Sequence, residues 1–247
     1  MNLEIRNVLS RFLSLRWQLG AGLVLLICIP RFYLVLKANE FGNYSAIGLI
    51  MVLSALIPLI ILNRNGRRNI GLVLPNGIFS LIVALLIGVL FSLMLYYVGS
   101  ELYGTSLENW FVYIGKSYNI PSQIALADKQ TLFIVMAITG MLFSPVGEEF
   151  FFRGIVHRSF NISFGPTVAT LLDSTAFAVT HLAHFGIVFI DGKWDLYLVP
   201  ASIWVISMFL VSLLFNQMKT LCQSIRGAVV CHSGFNLGMT YCIFYLL

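Results

Sequence analysis

The sequence predicts an all-α polytopic membrane protein, a single domain of transmembrane helices over residues 1–247, and three observations lead to this class. Hydrophobic residues make up 59% of the chain and charged residues 10%, whereas a soluble domain is about a quarter charged. Long hydrophobic windows recur, and each is long enough to cross ~30 Å of hydrocarbon as a helix. The alternating ten-residue segments typical of a transmembrane β-barrel do not occur. The composition therefore excludes a soluble enzyme.

Seven hydrophobic windows predict the transmembrane helices. A helix satisfies its own backbone hydrogen bonds, so it is the element that a run of about 20 apolar residues forms in lipid. The windows lie at residues 18–37, 43–62, 77–98, 130–150, 167–185, 198–216 and 227–247. We therefore expect a bundle of seven spans.

Residues 1–17 precede the first window and predict an amphipathic helix that lies at the membrane interface. Apolar side chains recur there at helical spacing, arginines occupy other positions, and Trp17 stands at the end. A secretory signal peptide is the alternative, because the segment has a basic start and an apolar run. No small-x-small cleavage site follows, which favours the interfacial helix.

The basic residues predict the orientation of the chain in the membrane. Cytoplasmic connections are enriched in Lys and Arg, and here the basic residues fall in alternate connections. They are Arg6, Arg11, Arg16, Arg64, Arg67, Arg68, Arg158, Lys219 and Arg226. We therefore expect a cytoplasmic N-terminus and a C-terminus outside. The net charge of +5 then reflects this topology and contact with anionic lipid headgroups, and no nucleic-acid partner is expected.

Two adjacent carboxylates and an arginine follow one another in and just after the fourth window. A charge at that depth costs several kcal/mol unless it is paired or hydrated. If the helix continues to about Phe160, Glu149 and Arg153 are four residues apart on one face and can form an ion pair. Glu148 points about 100° away from Glu149 and has no cation at helical spacing. We therefore expect Glu149 and Arg153 to be structural and Glu148 to face a cavity.

Polar residues on two later helices are predicted to lie level with Glu148. Counted at ~1.5 Å per residue from the predicted helix ends, Glu148, His181, His232 and Asn236 lie about 18 to 24 Å into the bundle. Interhelical hydrogen bonding is the structural alternative, since His and Asn join membrane helices at roughly 1 kcal/mol each. A polar cavity inside the membrane explains the shared layer more simply.

Other polar and nucleophilic residues have simpler interpretations. His184 is predicted to be a hydrogen-bonded core residue, and Asp173 is a candidate to orient a neighbouring side chain. Ser144 and Cys231 are weak candidates for a covalent nucleophile, because adjacent residues such as Cys231 and His232 point about 100° apart on a helix. The four cysteines lack metal-type spacing and are expected to be small apolar core residues.

Three ordered motifs resemble those of a known family. They are Glu-Glu-x-x-x-Arg at residues 148–153, Phe-x-x-x-His at 177–181 and His-x-x-x-Asn at 232–236. In this order on successive hydrophobic helices they resemble the CAAX prenyl protease and bacteriocin-processing family of membrane endopeptidases. The resemblance covers about residues 130–240, which we take as the catalytic core. The best-understood members of that family have eight spans, so residues 1–17 or 99–130 are candidates for an eighth helix.

The resemblance implies hydrolysis of a peptide bond in a membrane cavity open to the cytoplasm. It implies that Glu148 is the general base for a water molecule and that His181 hydrogen-bonds to that water or to Glu148. It also implies that His232 and Asn236 donate hydrogen bonds to the developing oxyanion, supported by Glu149 and Arg153. The implied partner is a short or membrane-associated peptide, lipidated or not, and no cofactor is required.

Two alternatives remain from the sequence. Zinc could activate the water instead, because two carboxylates and several histidines are available. The chain lacks His-Glu-x-x-His, and pairing of Arg153 with Glu149 competes with metal binding, so we expect no metal. A non-catalytic membrane protein is the second alternative, either an immunity protein that binds a peptide toxin or a small transporter that uses Glu148 and His181 as a proton relay.

Overall fold

The computed structural model describes residues 4–118 and 125–247, and it is almost entirely helical. Helix makes up 77% of these described residues, which confirms the all-α class. The helices are α1 Trp17–Phe41, α2 Ser45–Ile61, α3 Arg64–Asn69, α4 Ile78–Tyr103, α5 Trp110–Ser117, α6 Leu126–Glu149, α7 His157–Phe164, α8 Pro166–Thr180, α9 Leu198–Leu221 and α10 Ile225–Tyr245. A π-helical segment, Phe150–Val156, joins α6 to α7 without a break, and a 3₁₀ turn, His181–Ala183, follows α8. The strands β1 Ile187–Ile190 and β2 Lys193–Leu196 form a short antiparallel hairpin.

The helices are those of a multi-pass membrane protein. Each of the seven predicted windows coincides with a helix. Among the described residues, four helical stretches are long and apolar enough to cross a membrane, and α2 is a shorter apolar helix. The four are Trp17–Phe41, Ile78–Tyr103, Leu126–Phe164 and Leu198–Leu221. The number of crossings, seven or eight, stays a prediction.

The N-terminal segment differs from the predicted amphipathic helix. Residues 4–16 form turns, and Ile5 makes an isolated antiparallel bridge with Leu62 at the end of α2. The backbone N–H of Arg6 donates to the carbonyl oxygen of Ile61 at 3.0 Å. Because part of the segment's backbone hydrogen-bonds to α2, and the side chains of Ile5 and Leu15 are buried in the protein, a continuous interfacial helix does not form. The prediction of a helix is therefore wrong for residues 4–16.

Small residues bring α10 against α4, and this contact positions the His-x-x-x-Asn motif. A Cβ atom added to Gly88 on α4 would lie 1.9 Å from the carbonyl oxygen of Cys231. A Cβ atom added to Gly234 on α10 would lie 2.2 Å from the carbonyl oxygen of Leu85. Such close approach of helix backbones is typical of packing inside membranes, where small residues let dispersion contacts form.

A proline in α6 ties the helix of the glutamates to α10. Pro145 has no backbone N–H, so the carbonyl oxygen of Met141 loses its helical donor. The hydroxyl of Ser233 on α10 donates to that oxygen at 2.7 Å. On the other side, a Cβ atom on Gly147 would lie 2.5 Å from the carbonyl oxygen of Met51 on α2. The glutamate motif is therefore held closely between α2 and α10.

One end of the bundle, which we call the basic end, collects four segments that are distant in the sequence. They are residues 4–16, 62–77, 157–165 and 219–226. The backbone N–H of Ile225 donates to the carbonyl oxygen of Gly71 at 2.9 Å. The backbone N–H of Trp17 donates to the hydroxyl of Ser163 at 2.9 Å, and Arg158 pairs with Glu4. The structure thus brings together the basic connections that the sequence predicted to share one side.

The opposite end of the bundle carries the α1–α2 connection, α5 and the β-hairpin. The hydroxyl of Tyr44 donates to that of Ser117 at 2.8 Å. The side-chain amide of Asn39 donates to the carbonyl oxygen of Ala183 at 2.8 Å. The two ends are therefore separate, well-connected layers with the apolar helices between them.

Candidate active site

Glu148 stands at the penultimate position of α6, and its two carboxylate oxygens have different surroundings. Oε1 accepts a hydrogen bond from Nη2 of Arg31 at 2.8 Å and a second one from the hydroxyl of Ser144. Oε2 has no hydrogen-bond partner in the described structure and lies 3.6 Å from Nε2 of His181. One oxygen is therefore fixed by two donors, while the other is buried without a hydrogen-bond partner among the described residues.

Arg31 is the functional candidate that sequence reasoning missed. It lies on α1, 117 positions before Glu148 in the sequence, and both side chains of the pair are buried. Helical spacing identifies a cation only on the helix of Glu148 itself, and pairing between distant helices has no spacing rule. A signal was present, since Arg31 is a charged residue that directly follows Pro30 within the first hydrophobic window.

His181 begins the 3₁₀ turn that ends α8, and its backbone contacts determine which ring nitrogen faces Glu148. Nδ1 lies 2.7 Å from the carbonyl oxygen of Phe177. A carbonyl oxygen only accepts, so Nδ1 carries the hydrogen and the neutral ring has its lone pair on Nε2. Trp204 donates from Nε1 to the carbonyl oxygen of His181 at 3.0 Å and fixes the turn. Nε2 of His181 and Oε2 of Glu148 thus face each other as two acceptors.

Glu149 lies in a closed cluster on another side of the same helix. Its side chain is 0% exposed, and Oε2 lies 3.2 Å from Nε of Arg153, the expected i,i+4 pair. Oε1 lies 2.8 Å from Nδ1 of His232 on α10. Arg153 also donates to the hydroxyl of Ser212 on α9 at 2.6 Å. The carboxylate of Glu149 therefore links α6, α10 and, through Arg153, α9.

The π-helical segment Phe150–Val156 starts directly after the two glutamates. The helix continues beyond Phe160 as predicted, but its turns between Phe150 and Val156 are π-helical and not α-helical. The guanidinium of Arg153 lies 4.4 Å from the ring centre of Phe177, in cation–π geometry. The ammonium of Lys219 donates to the carbonyl oxygen of Arg153 at 2.6 Å. Short π-helical segments are frequent at functional sites, and Arg153 within this one is fully buried.

The third motif contributes an imidazole and an amide from α10. The ring of His232 stacks on Phe215, with 4.5 Å between centroids and an interplanar angle of 14°. Because Nδ1 of His232 faces a carboxylate, it carries a hydrogen, and Nε2 can donate only when the ring is an imidazolium. The amide of Asn236 uses one of its two N–H groups to donate to the carbonyl oxygen of Gly140 at 2.9 Å. The second N–H of Asn236 remains for a ligand.

The four predicted catalytic side chains line a single cavity of about 200 Å³. Glu148, His181, His232 and Asn236 share it with Arg31, while the two supporting residues, Glu149 and Arg153, do not line it. Much of the remaining wall is apolar. Its apolar side chains are Ile47, Met51, Ile114, Met136, Phe177, Trp204, Met208, Phe235 and Met239. The structure therefore brings together all four residues that were predicted from their common depth.

The comparison with family models identifies one family for the part of the chain that carries the three motifs. Residues 130–238 match the model described as Rce1-like, type II CAAX prenyl endopeptidase. Residues 130–238 are thus of the Rce1-like family. The match contains all three motifs and confirms the family that they suggested. Arg31, on α1, lies outside the Rce1-like match. Comparison with the curated proteins and with the solved structures gives no match to the chain.

His184 and Asp173 lie in different surroundings. The ring of His184 lines the cavity and stacks on His181 with 5.2 Å between centroids. Its side chain has no hydrogen-bond partner among residues 4–118 and 125–247, so the prediction of a hydrogen-bonded core residue is wrong. Asp173 does orient neighbours, because it accepts from Asn216 at 3.0 Å and pairs with His157 at 2.6 Å. Asp173 lies outside the cavity of the Rce1-like motifs.

The carboxylates of this Rce1-like site are already engaged by arginines. Arg31 pairs with Glu148, and Arg153 pairs with Glu149. Within the described residues, no group of three or more His, Cys, Asp or Glu side chains is arranged to hold a metal ion. A zinc ion would therefore have to compete with Arg31 and Arg153 for the two carboxylates.

Proposed function

We propose that the protein is an intramembrane endopeptidase of the CAAX type, in which Glu148 activates a water molecule. The observation that carries the proposal is the free Oε2 of Glu148, 3.6 Å from Nε2 of His181 at the wall of a cavity. Two acceptors at that separation need a donor between them. A water molecule supplies two hydrogens, one to each acceptor, and its lone pair is then directed towards the cavity.

The proposed reaction needs no covalent enzyme intermediate. The water oxygen attacks the carbonyl carbon of the peptide bond as its proton passes to Oε2 of Glu148. The tetrahedral intermediate then collapses, the C–N bond breaks, and Glu148 returns the proton to the leaving nitrogen. Arg31 holds Oε1 in both steps, so the same oxygen takes up and releases the proton.

Two groups on α10 are proposed to stabilise the oxyanion. The unused N–H of Asn236 donates directly, and Nε2 of His232 donates as an imidazolium. Glu149 compensates the charge of that imidazolium through its 2.8 Å contact with Nδ1. Each such donor is commonly worth ~3 kcal/mol in the transition state. Arg153 acts indirectly, because it holds Glu149.

The proposed mechanism uses no metal ion, since both carboxylates have guanidinium partners. Peptide cleavage that persists in a strong chelator supports this, and loss of cleavage that returns with added zinc contradicts it. The proposed substrate is a short or membrane-associated peptide, lipidated or not, because methionine and aromatic side chains in the cavity wall suit apolar residues. We also propose seven crossings, with the N-terminus in the cytoplasm and the C-terminus outside.

The test compares the wild-type protein with Glu148→Gln in proteoliposomes that receive a library of apolar peptides. Glutamine keeps the shape of the side chain but cannot take up a proton. We expect cleavage, followed by mass spectrometry, to fall at least about 100-fold, since a general base contributes 10²–10⁴. Asp173→Asn, at a carboxylate outside the cavity, is the matched control.

Three results would contradict the proposal. The first is full cleavage by a folded Glu148→Gln variant. The second is a wild-type protein that cleaves no peptide but binds one tightly, as an immunity protein does. The third is solute flux that follows an imposed pH gradient, as in a proton-coupled transporter.

A further inference from the structure

The two ends of the bundle differ strongly in charge. The basic end carries the nine Arg and Lys residues of its four segments and one acidic residue, Glu4. The opposite end carries four basic residues, Lys37, Lys116, Lys129 and Lys193, and six acidic ones. Basic residues close to membrane spans are enriched on the cytoplasmic side. This asymmetry assigns the basic end to the cytoplasm.

The cavity extends from Glu148 towards the end that is not basic. On α6 its wall continues through Ser144 and Gly140 to Met136, which is the direction of the α5 end of the bundle. Tyr44, in the α1–α2 connection, and Ser117, at the end of α5, also line it. On α6, Glu148 is the lining residue nearest to the basic end.

Fully packed side chains close the other direction. Between Glu148 and the basic end lie the Glu149–Arg153 pair and the aromatic residue Phe152, all buried. Ile155 and Val156, one turn further, are 0% exposed. A peptide that entered from the basic end would have to displace this ion pair and these side chains.

We propose that the peptide substrate reaches Glu148 from the non-cytoplasmic face of the membrane. The proposal rests on the proposed peptidase function, and it replaces the cytoplasmic access that the family resemblance implies. The class of substrate follows: an apolar peptide segment exposed outside the cytoplasm, such as an exported peptide or the outer flank of a membrane protein. A peptide that remains in the cytoplasm has no path to the glutamate.

Cysteine labelling tests the access side without depending on catalysis. The four natural cysteines are buried, so the wild-type protein is the unlabelled reference. Ser117→Cys probes the outer wall of the cavity, and Met136→Cys probes a position closer to Glu148. Arg68→Cys, exposed at the basic end, is the matched control. Intact cells that produce each variant receive a charged, membrane-impermeant thiol reagent before or after permeabilisation.

We expect Ser117→Cys and Met136→Cys to be modified in intact cells, and Arg68→Cys only after permeabilisation. Modification of both cavity positions only after permeabilisation would overturn the proposal, and so would modification of Arg68→Cys in intact cells. Because labelling does not require turnover, an inactive protein gives the same readout. Failure of the peptidase proposal is therefore seen in the Glu148→Gln assay alone.

Discussion

Glu148 and Glu149 are adjacent in the sequence, yet their surroundings are opposite. Glu148 pairs with an arginine from a distant helix, keeps one oxygen without a partner and lines a cavity. Glu149 pairs with an arginine one turn away, contacts His232 and is fully enclosed. The rotation of about 100° between neighbouring helix positions is enough to separate them. Two adjacent carboxylates can thus have different roles, one suited to catalysis and the other to holding the helices together.

We expect the largest loss of stability when the buried ion pair of Glu149 with Arg153 is broken. Arg153→Met leaves the carboxylate of Glu149 buried without its cation, and breaking a buried pair in this way costs about 3–5 kcal/mol of the free energy of unfolding. Denaturant unfolding in detergent measures the loss. Arg158→Met, at the partly exposed pair with Glu4, is the control.

The double variant Glu149→Gln, Arg153→Met sharpens this prediction. It removes both charges, so it should recover part of the stability that the single variant loses. If Arg153→Met proves no more destabilising than its control, Glu149 does not depend on Arg153, and the distinction between the two glutamates fails.

The second effect concerns the pair at the cavity. In Arg31→Met, Oε1 of Glu148 loses its guanidinium partner and the carboxylate is free to rotate. We expect the kcat for peptide cleavage to fall about 100-fold, as displacements near 1 Å can cost that much. We also expect a smaller loss of stability than in Arg153→Met, because Glu148 lines a cavity and Glu149 does not. Both quantities are measured on the same detergent-purified protein.

The conservative variant Arg31→Lys tests whether Arg31 positions the carboxylate of Glu148 or only stabilises the fold. Arg31→Lys keeps the positive charge but loses the planar fork of donors. A positioning role predicts that the lysine variant regains part of kcat while KM changes little. Wild-type kcat in Arg31→Met would show that Glu148 needs no partner from α1.

The parts of this site that sequence could predict are those with a spacing rule. Pairing of Glu149 with Arg153 follows from the i,i+4 rule, and the shared depth of Glu148 and His181 follows from the rise per residue. The pairing of Arg31 with Glu148 could not be predicted, because contact between distant helices leaves no local sequence pattern. The same reasoning explains the helices themselves: hydrophobic windows identify them, but not the order in which they pack.

Two local features were unpredictable for a different reason. The hydrophobic pattern of Phe150–Val156 is the same for a π-helix as for a regular α-helix. We attribute the choice between the two conformations to tertiary contacts, such as that of Lys219 with the carbonyl oxygen of Arg153. Residues 4–16 have helical periodicity, but their backbone pairs with the end of α2. In both cases a contact distant in sequence decides the local conformation.

A third ion pair, Arg158 with Glu4 at the basic end, should contribute least to stability. It is the reference against which the two buried pairs are compared. Burial alone would raise the pKa of Glu4, but hydrogen bonds from Arg158 and Asn69 and the charge of Arg158 lower it below its ordinary value. The pair therefore contributes stability above the pKa of the unfolded state, and the contribution is lost as the pH falls through the lowered pKa. Glu4→Gln should cost less than about 1 kcal/mol at neutral pH, because ion pairs that solvent reaches contribute little to stability. It should also reduce the loss of stability on acidification. Unfolding measured from neutral pH to pH 3 tests both, and an unchanged acid profile would show that this pair does not stabilise the basic end.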